Sequence, residues 1–428
     1  MKNKKETLLI LTILITICII IFNRDKLYEA KYTEPKDTLL AITINGEIST
    51  TFPTTKYYET SVECTTGTGK VEWNGTKWVL TTNGITKGST KCNATFITKV
   101  PTFAETILAN NKVKAPITTP GATISTASEA LLASTEDDYG TSYYFRGAVT
   151  NNYVEFANKC WRIVRVGGDG SVKLILHNDN PTGAANPCDA ANNSASAAFA
   201  HYNGSTYTSR FNENYDDNAY IGFKYGTPGS SKYETTHANT NKSTILTNLE
   251  TWYTNNLKTY ESVIDDTVWC NDKTNVTDTS YDPWSITPNG LGYAKNVTYY
   301  GATKRLVGTS GSAGGTGPSL KCNGELSKIN SKVGLITADE LAFAGYAYNI
   351  GNTTTYLQEN ATNTYWWSLS PYGFDVGSAG VWGVNGSAGY FDNYNVRGTS
   401  GVRPLISLKS TTNVTGEGTS SAPYIISM

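Results

Sequence analysis

Histidine and methionine are scarce in this sequence of 428 residues, which has three histidines and two methionines. None of His177, His201 and His237 lies in a metal-ligand spacing such as H-E-x-x-H. A Gly-x-Ser-x-Gly turn is absent, and the glycine-rich segment 308–317 lacks the Gly-Lys-Ser/Thr ending of a phosphate-binding loop. We therefore expect a protein that is not an enzyme.

Charge is scarce as well. Lysine and arginine number 35 against 36 aspartates and glutamates. Because this balance creates no basic field, we expect no nucleic-acid partner. The 28 tyrosines and 39 glycines are instead typical of a β-rich extracellular protein.

The N-terminus predicts export. Lys2, Lys4 and Lys5 precede an apolar run over 7–22, which is short for a bilayer span, and no small residues of a cleavage site follow it. We expect residues 1–26 to be an uncleaved signal-anchor helix, which makes the protein single-pass in the cell membrane with its C-terminal region extracellular. A cleaved signal peptide is the alternative.

Six cysteines follow the predicted anchor, and none forms a C-x-x-C pair. In an exported protein this pattern favours disulfides over zinc. Sequence alone leaves many connectivities open, but grouping by domain favours Cys64–Cys92, Cys160–Cys188 and Cys270–Cys322.

Composition divides the rest of the chain into four segments. Residues 27–37 are a charged spacer, and 38–100 alternate β-branched runs with Asn-Gly turns, which predicts a small sandwich-like β domain acting as a stalk. A second binding module is the alternative for that domain. The composition of residues 101–141 predicts a linker with a short helix at 103–112, and residues 142–428 are predicted to form the main domain.

Within the main domain, period-two runs flank a hairpin turn at Gly167–Gly170, and a helix is predicted from Ser243 to about Ile264 with its aromatic stripe packed on a sheet. Thr337 and Glu340 form a capping box for a second helix. The loop 181–226 is long and polar. Its acidic and amide residues from Asn212 to Asn218 lack EF-hand spacing, so we interpret it as solvated, with calcium as the alternative.

The most informative stretch lies near the C-terminus. Tyr365–Pro371 predicts a buried strand that stops at a turn, and Gly401–Leu408 ends in a short apolar strand. Residues 372–400 between them are rich in Tyr, Asn, Ser and Gly, a mixture that binding loops use.

These flanks and this interior resemble the variable segment of surface proteins that retroelements diversify in gut bacteria. In that family an error-prone reverse transcriptase substitutes bases at template adenines, so Asn and Tyr codons scatter into the residue types found at 372–400. Tyr143–Phe145 followed by Cys160–Val164 is similar to the opening of the same family. The resemblance covers roughly Ser142 to the C-terminus.

The resemblance implies a C-type-lectin-like domain related to formylglycine-generating enzymes. The expected class is α+β: an anchor helix, a small all-β module, and a lectin-like domain with mixed or antiparallel strands and two main helices. The enzymes of that fold act through a cysteine pair on C-terminal strands. No cysteine follows Cys322, so their activity is not implied.

We expect the C-terminal segment to present a ligand-binding face. Its inward anchors are predicted to be Ala379, Val381, Val384, Phe391 and Val396, with Phe374, Trp366, Trp367 and Arg403 also structural. The outward, ligand-binding set is Tyr372, Asp375, Ser378, Trp382, Asn385, Tyr390, Asp392, Asn393, Tyr394, Arg397 and Thr399. Of these, Trp382, Tyr390, Tyr394 and Arg397 are expected to contribute most, because Trp, Tyr and Arg dominate interface hot spots.

The sequence thus favours a surface-anchored adhesin or receptor that binds an extracellular protein or glycan. A structural surface or pilus-like subunit is the alternative. An exported enzyme is a third interpretation, which the residue inventory disfavours.

Overall fold

The computed structural model describes residues 39–86 and 88–427, which divide into two compact units between Val100 and Pro101. The predicted anchor and spacer lie outside the described residues. The described part of the first unit contains six strands: β1 (Leu39–Ile44), β2 (Glu47–Ser49), β3 (Tyr58–Cys64), β4 (Thr68–Trp73), β5 (Trp78–Asn83) and β6 (Lys91–Thr98).

The first unit is a small all-β fold. Its main sheet has the order β2-β1-β6-β3, with β1 and β6 parallel, while β4 and β5 form a separate hairpin. Val71 and Trp78 of that hairpin share a buried core with Ile42, Ala94 and Phe96 of the sheet. The hairpin therefore covers one face of the sheet, which gives the unit a core of its own.

The second unit is larger and contains the remaining elements. Its strands are β7 (Ala130–Asp137), β8 (Gly140–Gly147), β9 (Tyr153–Phe156), β10 (Lys159–Val166), β11 (Val172–Asn178), β12 (Thr208–Arg210), β13 (Lys224–Tyr225), β14 (Asn241–Lys242), β15 (Thr267–Cys270), β16 (Thr298–Tyr299), β17 (Lys328–Ser331), β18 (Trp366–Asp375), β19 (Ser378–Val384), β20 (Phe391–Asn395), β21 (Thr399–Gly401), β22 (Leu405–Leu408), β23 (Val414–Thr415) and β24 (Tyr424–Ile426). Its helices are α1 (Phe103–Asn110), α2 (Tyr233–His237), α3 (Thr244–Asn256), α4 (Gly301–Leu306) and α5 (Ala338–Ala344).

Two sheets form the framework of this unit. The larger runs β22-β11-β10-β9-β24-β23, and β8 joins it through β10 and carries β7. The second runs β12-β21-β18-β19-β20, with β16 on β18. Helix α3 is capped by Ser243 and buries its apolar stripe, with Trp252 packed 6.1 Å from Trp161 of β10 between ring centroids. This stripe packs on a sheet, as the sequence predicts.

The expected α+β class is wrong. Strands hold 36% and helices 13% of the structure over the described residues, so this part of the protein is mostly β. The described helices have 5 to 13 residues, and α3 ends at Asn256 rather than near Ile264. No helix among the described residues is long and apolar enough to cross a membrane. The Gly- and Asn-rich composition disfavours longer helices, and the tyrosines and tryptophans pack between sheets instead.

Residues 101–141 are not a free linker in the structure. Helix α1 begins at a capping box formed by Thr102 and Glu105, and it buries Phe103 and Ile107. Strand β7 pairs along its whole length with β8. The Pro- and Thr-rich composition of 115–126 obscured the strand that follows it, which the sequence analysis assigned to the linker.

Three disulfides link the cysteines of the described residues, and they are the three that domain grouping favours. Cys64–Cys92 joins β3 to β6 in the first unit, and Cys160–Cys188 and Cys270–Cys322 lie in the second. Disulfides persist in oxidising compartments, so these bonds fit an extracellular or secreted protein.

Candidate functional site

The predicted variable segment folds into three consecutive strands of the second sheet. Strand β18 pairs with β19, and β19 pairs with β20, all antiparallel. Residues 376–377 connect β18 to β19, and residues 385–390 connect β19 to β20. The segment is therefore a three-stranded meander rather than a set of free loops.

The apolar side chains on both faces of this meander are buried in the core. Ala379, Val381, Val384, Phe391 and Val396 are completely buried, as predicted. Buried Arg403, next to the meander, donates to the carbonyl oxygens of Leu176 and Leu357, and its guanidinium lies 5.0 Å from the Trp366 ring centroid. These acceptors offset the cost of burying the charge.

Two residues of the predicted outward set are in the core instead. Trp382 is completely buried, and Tyr372 is 4% exposed. The Trp382 ring lies 4.6 Å from Phe391 and 5.1 Å from Tyr372 between centroids. The prediction assumed that one face of β19 meets solvent, whereas both faces of this central strand are covered. Neither residue is available to a ligand on the surface.

Strand β18 also continues beyond its predicted end. The sequence predicts a stop at Ser370-Pro371, but the strand runs to Asp375, and its pairing with β19 shifts register on both sides of Pro371. A register shift accommodates a residue that cannot donate to the ladder. Tyr372 follows this register shift within the continued strand, and its side chain therefore lies in the core.

The solvent-facing part of the meander lies mainly along β20 and the turn after it. Tyr394 stacks edge-on against Tyr365, with centroids 4.8 Å apart. Arg397 is exposed, and its guanidinium lies 4.6 Å from the ring centroid of half-buried Tyr215. Tyr390 is 43% exposed. Aromatic rings and an arginine held in this way have little rotamer entropy left to lose on binding.

Several predicted contact residues already have partners within the chain. Asn385 Oδ1 accepts from the backbone of Ser387, and its amide donates to the Tyr365 hydroxyl at 3.1 Å. Half-buried Ser378 lies opposite Asp375 in the hairpin, half-buried Asn393 lies opposite Trp382, and exposed Thr399 lies opposite Arg210 in β12.

Two half-buried carboxylates give the face a negative character. Burial raises the pKa of both Asp375 and Asp392 above the ordinary range. Neither forms an ion pair within the described part of the chain, although Asp392 accepts from the backbone of Asn393 at 2.7 Å. Partly desolvated carboxylates without a cation are competent to receive a cationic or hydrogen-bonding group of a ligand.

The tip of the hairpin between β18 and β19 has a strained backbone. Val376 has φ of 42°, and the following Gly377 has φ of 79°, so both central residues of the two-residue loop are left-handed. Type I′ loops favour Asn or Gly at the first position, and a β-branched residue there is an outlier. The Val376 side chain is also 85% exposed. An exposed apolar residue on a strained backbone is a feature of contact surfaces.

The structure brings only some predicted residues together. Asp375, Ser378 and Arg397 lie near one end of β19, and Asn385 and Tyr390 lie at the other, about 20 Å away at the usual rise per strand residue. Tyr394 lies between them. The candidate site is thus a strip along β20, not a pocket. Sequence reasoning missed Tyr215, Tyr365 and Val376. Of these three, only Val376 could have been recognised from the sequence, because it precedes Gly377 at the position of a hairpin turn.

A cavity of about 40 Å³ elsewhere in the second unit is lined by charged residues. Glu340 accepts from Arg165 at 2.9 Å and from Lys173 at 3.1 Å, and Arg305 pairs with Asp339 at 2.7 Å. Burial alone would raise the pKa of Glu340, but Lys173, Arg165 and the backbone N–H of Thr337 lower it to about 2. These charged side chains form ion pairs with one another, so we interpret the cavity as part of the structural core rather than as a ligand site.

The polar segment considered for calcium is engaged in other contacts. Asp217 caps the turn at Asn218–Ile221 and also accepts from the Gly229 backbone, while Glu213 pairs with Arg210 and Asp216 with Lys295. No cluster of three or more potential metal ligands occurs in the described ranges.

No known protein family, curated protein or solved structure matches the chain.

Proposed function

We propose that the protein is an exported, disulfide-stabilised binding protein, held at the membrane by residues 1–26, that uses the strip along β20 to bind an extracellular protein or glycan. The observation that supports this most is the two-sided construction of β20. Phe391 anchors the strand in the core, while Tyr394 and the neighbouring Arg397 turn present an aromatic ring and a guanidinium at the surface.

Diversification by a retroelement is part of the proposal. It requires positions that tolerate exchange without loss of the fold. Tyr390, Asn393, Tyr394 and Arg397 meet that requirement because they are exposed or half-buried. Tyr372 and Trp382 do not, because replacing either would open or overfill the core.

A structural surface subunit is the second candidate. It is favoured by Asn385 and Asn395, whose side-chain oxygens accept from the backbone of their own turns. Such contacts are what solvated turns need for folding and do not by themselves imply a ligand.

Sequencing this locus in many cells of the source population separates the two candidates. A diversified binding face predicts substitutions concentrated at Tyr390, Asn393, Tyr394 and Arg397, with Trp382 and Phe391 constant. A uniform, low substitution rate across residues 372–400 would overturn the diversified face and favour the structural subunit.

A further inference from the structure

Lys273 is a buried amine without a counter-ion. Its side chain is completely buried. The ammonium donates to the carbonyl oxygen of His237 at 2.6 Å, to Oδ1 of Asn239 at 2.6 Å and to the carbonyl oxygen of Lys224 at 3.2 Å. No carboxylate pairs with it among the described residues. A buried lysine normally has a carboxylate partner, so the burial of Lys273 without one needs an explanation.

The Asn239 side chain is held with its carbonyl group toward this amine. Its Nδ2 donates to the carbonyl oxygens of Leu326 at 3.0 Å and Lys328 at 3.4 Å. These contacts fix the orientation of the amide, so Oδ1 faces Lys273 Nζ. The electrophilic Cγ is bonded to that oxygen and therefore lies within a short movement of the amine, as near-attack geometry requires.

We propose that Lys273 and Asn239 form an intramolecular isopeptide bond. The neutral amine attacks Cγ of Asn239, a C–N bond forms between Nζ and Cγ, and the bond between Cγ and Nδ2 breaks. One proton moves from Nζ to Nδ2, which leaves as ammonia. An amine and a carboxamide thus yield a secondary amide and ammonia, with no oxidant or reductant consumed.

The surroundings favour this step. Burial lowers the pKa of Lys273 to about 7, so a substantial fraction of the amine is neutral at physiological pH. The carbonyl oxygens of His237 and Lys224 accept from Nζ and hold the amine beside the Asn239 amide.

The bond would tie the segment between α2 and β14 to the chain that follows β15. Asn239 and Lys273 are 34 residues apart in sequence. Cys270, close to Lys273, is already linked to Cys322. A second covalent tie at this place would reinforce a region of short strands, where ladder hydrogen bonds contribute little.

Intact-mass spectrometry of the full chain, denatured and reduced, tests the proposal. We expect a mass lower than that of the sequence by one ammonia, and a digest containing one branched peptide with Asn239 and Lys273, uncleaved by trypsin after Lys273. A full mass with normal cleavage after Lys273 would overturn the proposal and leave the ammonium as a structural donor to three oxygens. Loss of ammonia without a branch at these residues would also overturn it.

Two variants sharpen the assignment. Lys273→Met removes the nucleophile and is expected to restore the full mass, whereas Lys295→Met at an exposed lysine is expected to retain the deficit. If Lys273→Met does not fold, the wild-type peptide map still decides the matter, because the branch is either present or absent.

Discussion

Arg165 Nε donates to Glu340 Oε1 across 2.9 Å, and the two side chains are 12% and 2% exposed. The pair joins β10 to the capping box at the start of α5, because the other oxygen of Glu340 accepts from the Thr337 backbone at 3.0 Å. One carboxylate therefore connects a strand and a helix that are distant in sequence. Such a group makes folding stability sensitive to its protonation.

Stability of the second unit is expected to fall in acid because of Glu340. Its folded pKa of about 2 is below the ordinary value of 4.5, so its contribution is complete above pH 4.5 and is lost as the pH falls toward 2. The contribution is on the order of 3 kcal/mol. Calorimetric unfolding between pH 6 and pH 2 measures it.

Glu340→Gln provides the control for that measurement. The variant leaves Lys173 buried without its carboxylate, so we expect it to unfold more readily at neutral pH by about 3–5 kcal/mol. Its stability should also change less between pH 4.5 and pH 2 than that of the wild type. An unchanged slope in this range would show that another group is responsible.

Trp382→Ala is expected to destabilise the second unit by about 3–5 kcal/mol, because it removes a completely buried indole from contact with Phe391 and Tyr348. Tyr390→Ala is the matched control at an exposed aromatic of the same segment, and we expect a change of less than about 1 kcal/mol. Chemical denaturation of both variants measures the difference. Equal losses would contradict the assignment of Trp382 to the core.

The contrast between Trp382 and Tyr390 shows where sequence reasoning succeeds. Apolar anchors such as Val381 and Phe391 could be predicted, because burial of a wholly apolar side chain can be expected from its residue type alone. Trp382 could not, because its burial depends on Tyr348, which lies outside the meander, and on Tyr372 of β18, which was itself predicted to face solvent. Amphipathic aromatics are compatible with either environment.

The same limit applies to contacts between distant segments. The disulfides were predictable because the cysteines are few and group by domain. Tyr215, which stacks with Arg397, lies in a loop separated from it by more than half of the second unit, and no local pattern marks that pairing. The placement of β7 beside β8 was hidden by the proline- and threonine-rich chain before it.

Removing the Cys160–Cys188 disulfide by alanine substitution at both positions is expected to lower the stability of the second unit by about 3–4 kcal/mol. Cys64–Cys92 closes a loop of the same sequence separation, 28 residues, in the first unit. Its removal should lower only the unfolding transition of the first unit. Calorimetry of the two double variants tests this, and a shift of both transitions by either variant would show that the units do not unfold independently.

Substitution of Val376 is expected to change folding stability and ligand binding in opposite directions. Val376→Asn relieves a left-handed β-branched residue in a loop followed by Gly377, so we expect the second unit to gain about 1 kcal/mol in its free energy of unfolding. Val376→Thr keeps the branching at Cβ and should give no such gain. Denaturant titration of the three proteins measures the effect. If the strain is retained for contact with a ligand, cells that display Val376→Asn should adhere less well to a surface that cells with the wild-type protein bind, although the variant protein is more stable. Increased stability with undiminished adhesion would remove Val376 from the binding strip and leave Tyr394 and Arg397 as its core.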